Sequence, residues 1–139
     1  MILLDTNVLT DPMAPRPHPA VAVWLDAQHA QTLYVSTISV GEIRYGIAAL
    51  PEGRRRSTLR ERFEDEVLPF FDGRVLSFDE PAAAAYGQLR ASMRSRGRAI
   101  GDFDALIAAT ALSRRLTVAT RDTSPFSDAG VSVLNPYET

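Results

Sequence analysis

The sequence predicts an α/β fold, built on a mainly parallel β-sheet with helices covering both faces. Two patterns carry that expectation. Apolar runs of three to five residues recur along the chain, and the segments between them have helical length and period. Strands joined through helices run parallel, and a parallel sheet buries both of its faces. Length fits as well: 139 residues suit one domain, expected to span 1–139, in which roughly two-thirds of the unfolded surface is hidden.

The elements follow in order. Ile2 to Leu4 is a short apolar strand, and the loop after it is crowded with Pro12, Pro15, Pro17 and Pro19. Pro19 suits the first turn of a helix, where its missing N–H has no partner to lose. Val21, Trp24 and Leu25 mark that helix at i, i+3, i+4. Leu33 to Val35 is a second strand ending at Ser36 and Thr37. Ser39 opens a helix with Val40, Ile43, Ile47 and Leu50 on one side, and Pro51 and Gly53 end it.

Residues 54 to about 71 read as one amphipathic helix with Leu59, Phe63, Val67 and Phe70 along its stripe. Val75 to Phe78 is a third strand, and the alanine-rich run from Glu80 to about Ser95 a long helix. Gly97 and Gly101 break the chain before a nearly continuous apolar helix, Phe103 to Leu112. Thr117 to Thr120 and Val131 to Leu134 complete the strands.

Composition removes several chemistries. There is no cysteine, so disulfides and thiolate metal sites are excluded. All fifteen basic residues are arginine, which excludes the lysine-dependent P-loop nucleotide-binding proteins. The net charge of −2 gives no global sign of nucleic-acid binding, so such binding must come from local patches. The apolar stretch before Asp5 is too short for a signal peptide or a membrane span, and a cytoplasmic location is expected.

In a parallel sheet the functional crevice lies beyond the carboxyl ends of the strands. That rule singles out Asp5 after the first strand and Asp122 after the fourth. Glu42 and Asp104 sit near the starts of helices that can reach the same edge. Each acid also has a structural reading. Asp5 could make an Asx-turn, Ser39 and Glu42 match a capping box, Asp102 or Asp104 could serve a helix start, and Asp122 could cap a turn. Gathered at one edge, the four would repel unless neutralised, and a hard oxygen-ligated cation such as Mg²⁺ or Mn²⁺ does that. His18 and His29, the only histidines, are expected at the surface. What remains is metal-assisted hydrolysis of a phosphoryl group.

The motifs MILLDTNVL, STISVGEIRYGI (Ser36 to Ile47), IGDFDALIAATAL (Ile100 to Leu112) and TVATRDTSPF (Thr117 to Phe126), with HPAVAVWLDAQ at the first helix, resemble the PIN-domain family. Within it they resemble the VapC-type and FitB-like toxins. The resemblance implies a three-layer α/β/α sandwich with a four- to five-stranded sheet, and Mg²⁺- or Mn²⁺-dependent endoribonuclease activity. It also implies a homodimer and an antitoxin partner that blocks the site. The family's acidic positions fall on Asp5, Glu42, Asp104 and Asp122; at the last, many members carry Asn.

Asp102 and Asp104 lie about 200° apart around a helix, so both cannot face one metal, and Asp102 is expected to be the cap. Thr6, Asn7 and Thr120 are candidates to orient the carboxylates. Three arginine runs could meet RNA: 54–56, then Arg90, Arg94, Arg96 and Arg98, then Arg114, Arg115 and Arg121. The second is the preferred one, because it leads into Asp104. Core positions are the default for Trp24, Tyr45, Phe63, Phe70 and Phe71, with a dimer face or antitoxin groove as alternatives, and no aromatic stacking platform stands out. Two other readings compete, a catalytically inert PIN-fold binding module and another Mg²⁺-dependent phosphohydrolase or receiver domain. The missing lysine counts against the second.

Overall fold

The computed structural model describes residues 1–138. Its five strands are β1 (Ile2–Leu4), β2 (Leu33–Ser36), β3 (Val75–Leu76), β4 (Thr117–Ala119) and β5 (Val133–Leu134). They form one sheet in the order β3-β2-β1-β4-β5, and every pairing is parallel. The chain winds outward from β1 in one direction and then the other, so the topological switch lies between β1 and β4.

Alternation along the strands divides the core into two layers. Leu3 and Val118 point to one face, where they meet Leu89 and Met93 of α6 (Glu80–Ser95), Ile107 and Ala108 of α7 (Asp102–Arg114), and Phe126 of α8 (Thr123–Asp128). Leu4 and Ala119 point to the other face. They pack there with Val8 of α1 (Thr6–Thr10), Val21 of α2 (Pro19–Asp26), Val40 and Ile43 of α3 (Thr37–Ala48), and Phe63. The result is a three-layer α/β/α sandwich. α7 can lie flush on the sheet because Ala105, Ala108, Ala109 and Ala111 give it a nearly flat buried face.

Four local features differ from the sequence reading. The proline-rich loop begins with a helix: Asp5 caps α1, accepting from the Thr6 N–H at 2.8 Å. α3 starts earlier than expected, at Thr37, because Ser36 rather than Ser39 is its N-cap, its Oγ accepting from the Ser39 N–H at 3.2 Å. The capping box between Ser39 and Glu42 therefore does not form, and Glu42 is released from helix-start duty.

α7 begins at Asp102 with Gly101 as its N-cap, so Asp102 is not the cap. It instead meets Arg90 at 3.3 Å on the surface. The helix expected over 54–71 is α4 (Arg54–Arg62), a π-helical turn (Phe63–Val67) and a short α5 (Leu68–Phe70). The π-turn absorbs one residue, and Phe63, its first residue, and Phe71, beyond α5, are both buried. The outer strands β3 and β5 are also shorter than the apolar runs that contain them. No helix is long and apolar enough to cross a membrane among the described residues.

Candidate active site

Buried polar side chains locate the site. Among the described residues they are Asp5, Ser36, Ser39, Thr110 and Thr120, and all but Thr110 lie at the carboxyl edge of β1, β2 or β4. Burying such groups is costly unless each finds a partner. Asp5 leaves β1 at the topological switch, where its backbone N–H donates to Ala119 O on β4 at 2.9 Å. Oδ1 of its carboxylate accepts from the Thr6 N–H and Oδ2 from the Thr120 hydroxyl at 2.9 Å. The Thr120 hydroxyl in turn accepts the Asp122 N–H at 3.1 Å. Two acids on adjacent strand ends are thus linked through one buried threonine.

A second chain of hydroxyls holds Glu42. The Thr6 hydroxyl lies 2.8 Å from Glu42 Oε1 and 2.9 Å from Ser39 Oγ. A carboxylate only accepts, so Thr6 donates its single proton to Glu42, and the Ser39 hydroxyl completes the chain by donating to Thr6. Ser39, read from sequence as a helix cap, is here a buried relay between α1 and α3. Of the three residues expected to orient carboxylates, Thr6 and Thr120 touch acids. Asn7 instead uses its backbone carbonyl, which accepts from the Tyr137 and Thr10 hydroxyls.

Asp104 projects from the first turn of α7, its Oδ2 above the Gly101 backbone. Its carboxyl is pushed up to about 6, first by burial and then by Asp5, Glu42 and Asp122. Asp104 therefore sits in the combined field of the other three acids. Asp5 is raised as well, by burial above all and slightly by Asp122, while its bonds from Thr120 and Thr6 pull it down. Asp122 stands at the N-terminus of α8 without making a side-chain cap bond, so its carboxylate stays free.

The ion pairs among the described residues join Arg44 to Glu64, Arg90 to Asp102 and Arg114 to Asp79, and none touches the four acids. Nor do any three described acids close into a ready-made cage for an ion. An open, oxygen-only set under mutual repulsion fits Mg²⁺ or Mn²⁺. Mg²⁺ in particular keeps several waters and needs only one or two direct carboxylates. The donor chemistry thus passes the test for a hard divalent cation.

The basic runs sort differently from the sequence expectation. In the second run Arg90 is tied to Asp102 and the Ile100 carbonyl, and Arg96 to the Asp128 carbonyl. Arg94 and Arg98 line an open cleft of about 990 Å³ together with Arg90 and Ile100. The aromatic default fails for Tyr45, which is 76% exposed, and for Phe70, half exposed. Tyr45 and Phe103 flank Glu42 in a second open cleft. The sequence held the signal for Tyr45: two residues from both Ile43 and Ile47, it falls on the opposite side of α3 from their buried stripe. His18 caps α2, its Nδ1 accepting from the Ala20 N–H. Arg121 and Tyr137, stacked at the rim of the site, have no sequence signal that joins them.

Fold and site together define a parallel-sheet α/β/α protein with a cluster of carboxylates at its switch point. The chain belongs to the PIN-domain family, whose sequence model matches residues 2–131. It is 49% identical over 138 residues to the VapC ribonuclease Y4jK of Sinorhizobium fredii, covering 99% of both chains. It is 48% identical to the toxin FitB of Neisseria gonorrhoeae, again over 99% of each. The crystal structure of FitAcB from Neisseria gonorrhoeae superposes with a TM-score of 0.96 at 47% identity, covering both chains completely.

Proposed function

We propose that this chain is a Mg²⁺- or Mn²⁺-dependent endoribonuclease and the toxin of a toxin–antitoxin pair, folded as one domain over 1–139. The observation that carries the proposal is the field at Asp104, set by three further acids with, among the described residues, no basic side chain paired to any of them. Relatives named as a VapC ribonuclease and as the toxin FitB support the choice of RNA and of an antitoxin partner. The exposed apolar side chains of Tyr45 and Phe103 support a homodimer.

In this reading Asp5 and Asp104 are the principal metal ligands, and Glu42 and Asp122 assist them. When bound, the ion neutralises charge on the phosphoryl oxygens and acidifies an attacking water. The protein's own part is positioning. Thr120 and the Thr6 N–H fix both oxygens of Asp5, and Ser39 and Thr6 fix Glu42. Both networks are buried or half-buried, so the carboxylates are held before substrate arrives.

The test is cleavage of single-stranded RNA by the purified chain with Mg²⁺ and with EDTA. Cleavage is expected with Mg²⁺ only, and it should be lost in Asp5→Asn. RNA left intact by the wild type under both conditions would favour an inert binding module.

A further inference from the structure

Arg121 lies in the segment after β4, between Thr120, whose hydroxyl holds Asp5, and Asp122. It is exposed, and among the described residues it makes no ion pair, even with its neighbour Asp122. Its guanidinium instead lies over the ring of Tyr137, 4.0 Å from the centroid. That ring is held at two further points. Its hydroxyl donates to the Asn7 carbonyl at 3.2 Å, and His18 meets it edge-on at 5.3 Å.

Asn135 completes the clasp, accepting the Tyr137 N–H at 2.9 Å while its amide reaches the Arg121 carbonyl at 3.4 Å. The phenol of Tyr137 is raised by burial and by Asp11 and Asp5, and lowered by Arg121. One ring therefore lies within the fields of both the acid cluster and the arginine. Stacking covers the flat face of a guanidinium and leaves its N–H edge free, the edge that forks a phosphate. It also removes rotamer freedom before binding.

We propose that Arg121, held over the ring of Tyr137, grips the RNA phosphate next to the one that is cleaved. Tyr137 is then a positioning residue, acting through Arg121. This rests on the ribonuclease reading, and it moves one main phosphate contact from the Arg94–Arg98 cleft to the segment just after β4.

The test uses a mixed-sequence single-stranded RNA 12-mer, cleaved in Mg²⁺ for kcat and KM and bound in EDTA for Kd at several salt concentrations. Arg121→Gln should raise KM and Kd about tenfold and leave kcat within about twofold. It should also flatten the slope of log Kd against log salt by about 0.7, the loss of one single-strand phosphate contact. Tyr137→Phe keeps the ring and should keep the wild-type KM, whereas Tyr137→Leu should raise KM about threefold at unchanged kcat.

Wild-type KM and salt slope in Arg121→Gln, with the wild type active, would overturn this inference and leave the ribonuclease reading intact. Equal impairment in Tyr137→Phe and Tyr137→Leu would also overturn it, because the Asn7 bond rather than the stack would then matter. So would an unchanged RNA Kd alongside weaker binding of a poly-glutamate peptide, which would give Arg121 to an acidic protein partner. A wild type that neither binds nor cleaves the RNA removes both readings together.

Discussion

Replacing Asp104 by Asn should stabilise the metal-free protein. In the fold this carboxyl titrates at about 6 against 3.8 for an ordinary aspartate, mainly through burial and then through three neighbouring acids. Two pKa units correspond to about 3 kcal/mol of unfavourable interaction. Asp104 is only half-buried, and solvent screening reduces that to about 1–1.5 kcal/mol. For a chain of this length the gain amounts to about 4 °C in Tm. The sign depends on pH. Because the folded pKa lies above the unfolded one, the cost is nearly complete above about pH 6 and fades as pH falls toward 3, where both states hold the proton. The Asn variant should therefore melt higher than wild type in EDTA at pH 7.5, and the gap should shrink to a small fraction by pH 4 and close by about pH 3. With 10 mM Mg²⁺ at pH 7.5 the order should narrow or reverse, since only wild type gains strong binding to its folded state. Differential scanning calorimetry in EDTA across pH reads this directly. A lower Tm for the variant at pH 7.5, or a gap that does not move with pH, refutes the electrostatic argument and makes Asp104 a structural residue.

The other expectations are smaller in scope. Thr120→Val removes the hydroxyl that Asp5 accepts and that receives the Asp122 N–H; urea titration should give a loss of about 1–3 kcal/mol, and RNA cleavage should fall with it. Ser36→Ala should cost about 1 kcal/mol as a lost helix cap with little change in cleavage. Ser39→Ala, measured in the same two assays, should reduce cleavage by loosening Thr6 and Glu42. Asp102→Asn breaks only an exposed pair with Arg90, so stability should move by less than about 0.5 kcal/mol and activity should hold.

Features that depend on chain direction and spacing were legible in the sequence. The five apolar runs became the five strands, Pro19 became the first residue of α2, and the parallel sheet followed from helices lying between strands. Two of the candidate acids were legible because Asp5 directly follows β1 and Asp122 lies three residues beyond β4. Features that depend on choosing between near neighbours were not. Two serines three residues apart could each cap α3, and the sequence favoured Ser39 because Glu42 completes a capping box; the fold uses Ser36 because the chain leaves β2 there. α1 was hidden because five residues show no helical period, and its start depends on Asp5 being held from β4. The pairing of Arg121 with Tyr137 joins residues at the chain's surface through packing alone, which leaves no periodic trace.

The most direct measurement of the central claim is Mn²⁺ binding followed by the electron paramagnetic resonance signal of the free ion. The wild type should remove Mn²⁺ from solution in proportion to protein, and Mg²⁺ should release it. Asp5→Asn and Asp104→Asn, each folded by circular dichroism, should remove far less, and Asp102→Asn should match the wild type. Unchanged Mn²⁺ uptake by folded Asp5→Asn and Asp104→Asn would contradict the claim that these acids form a metal site.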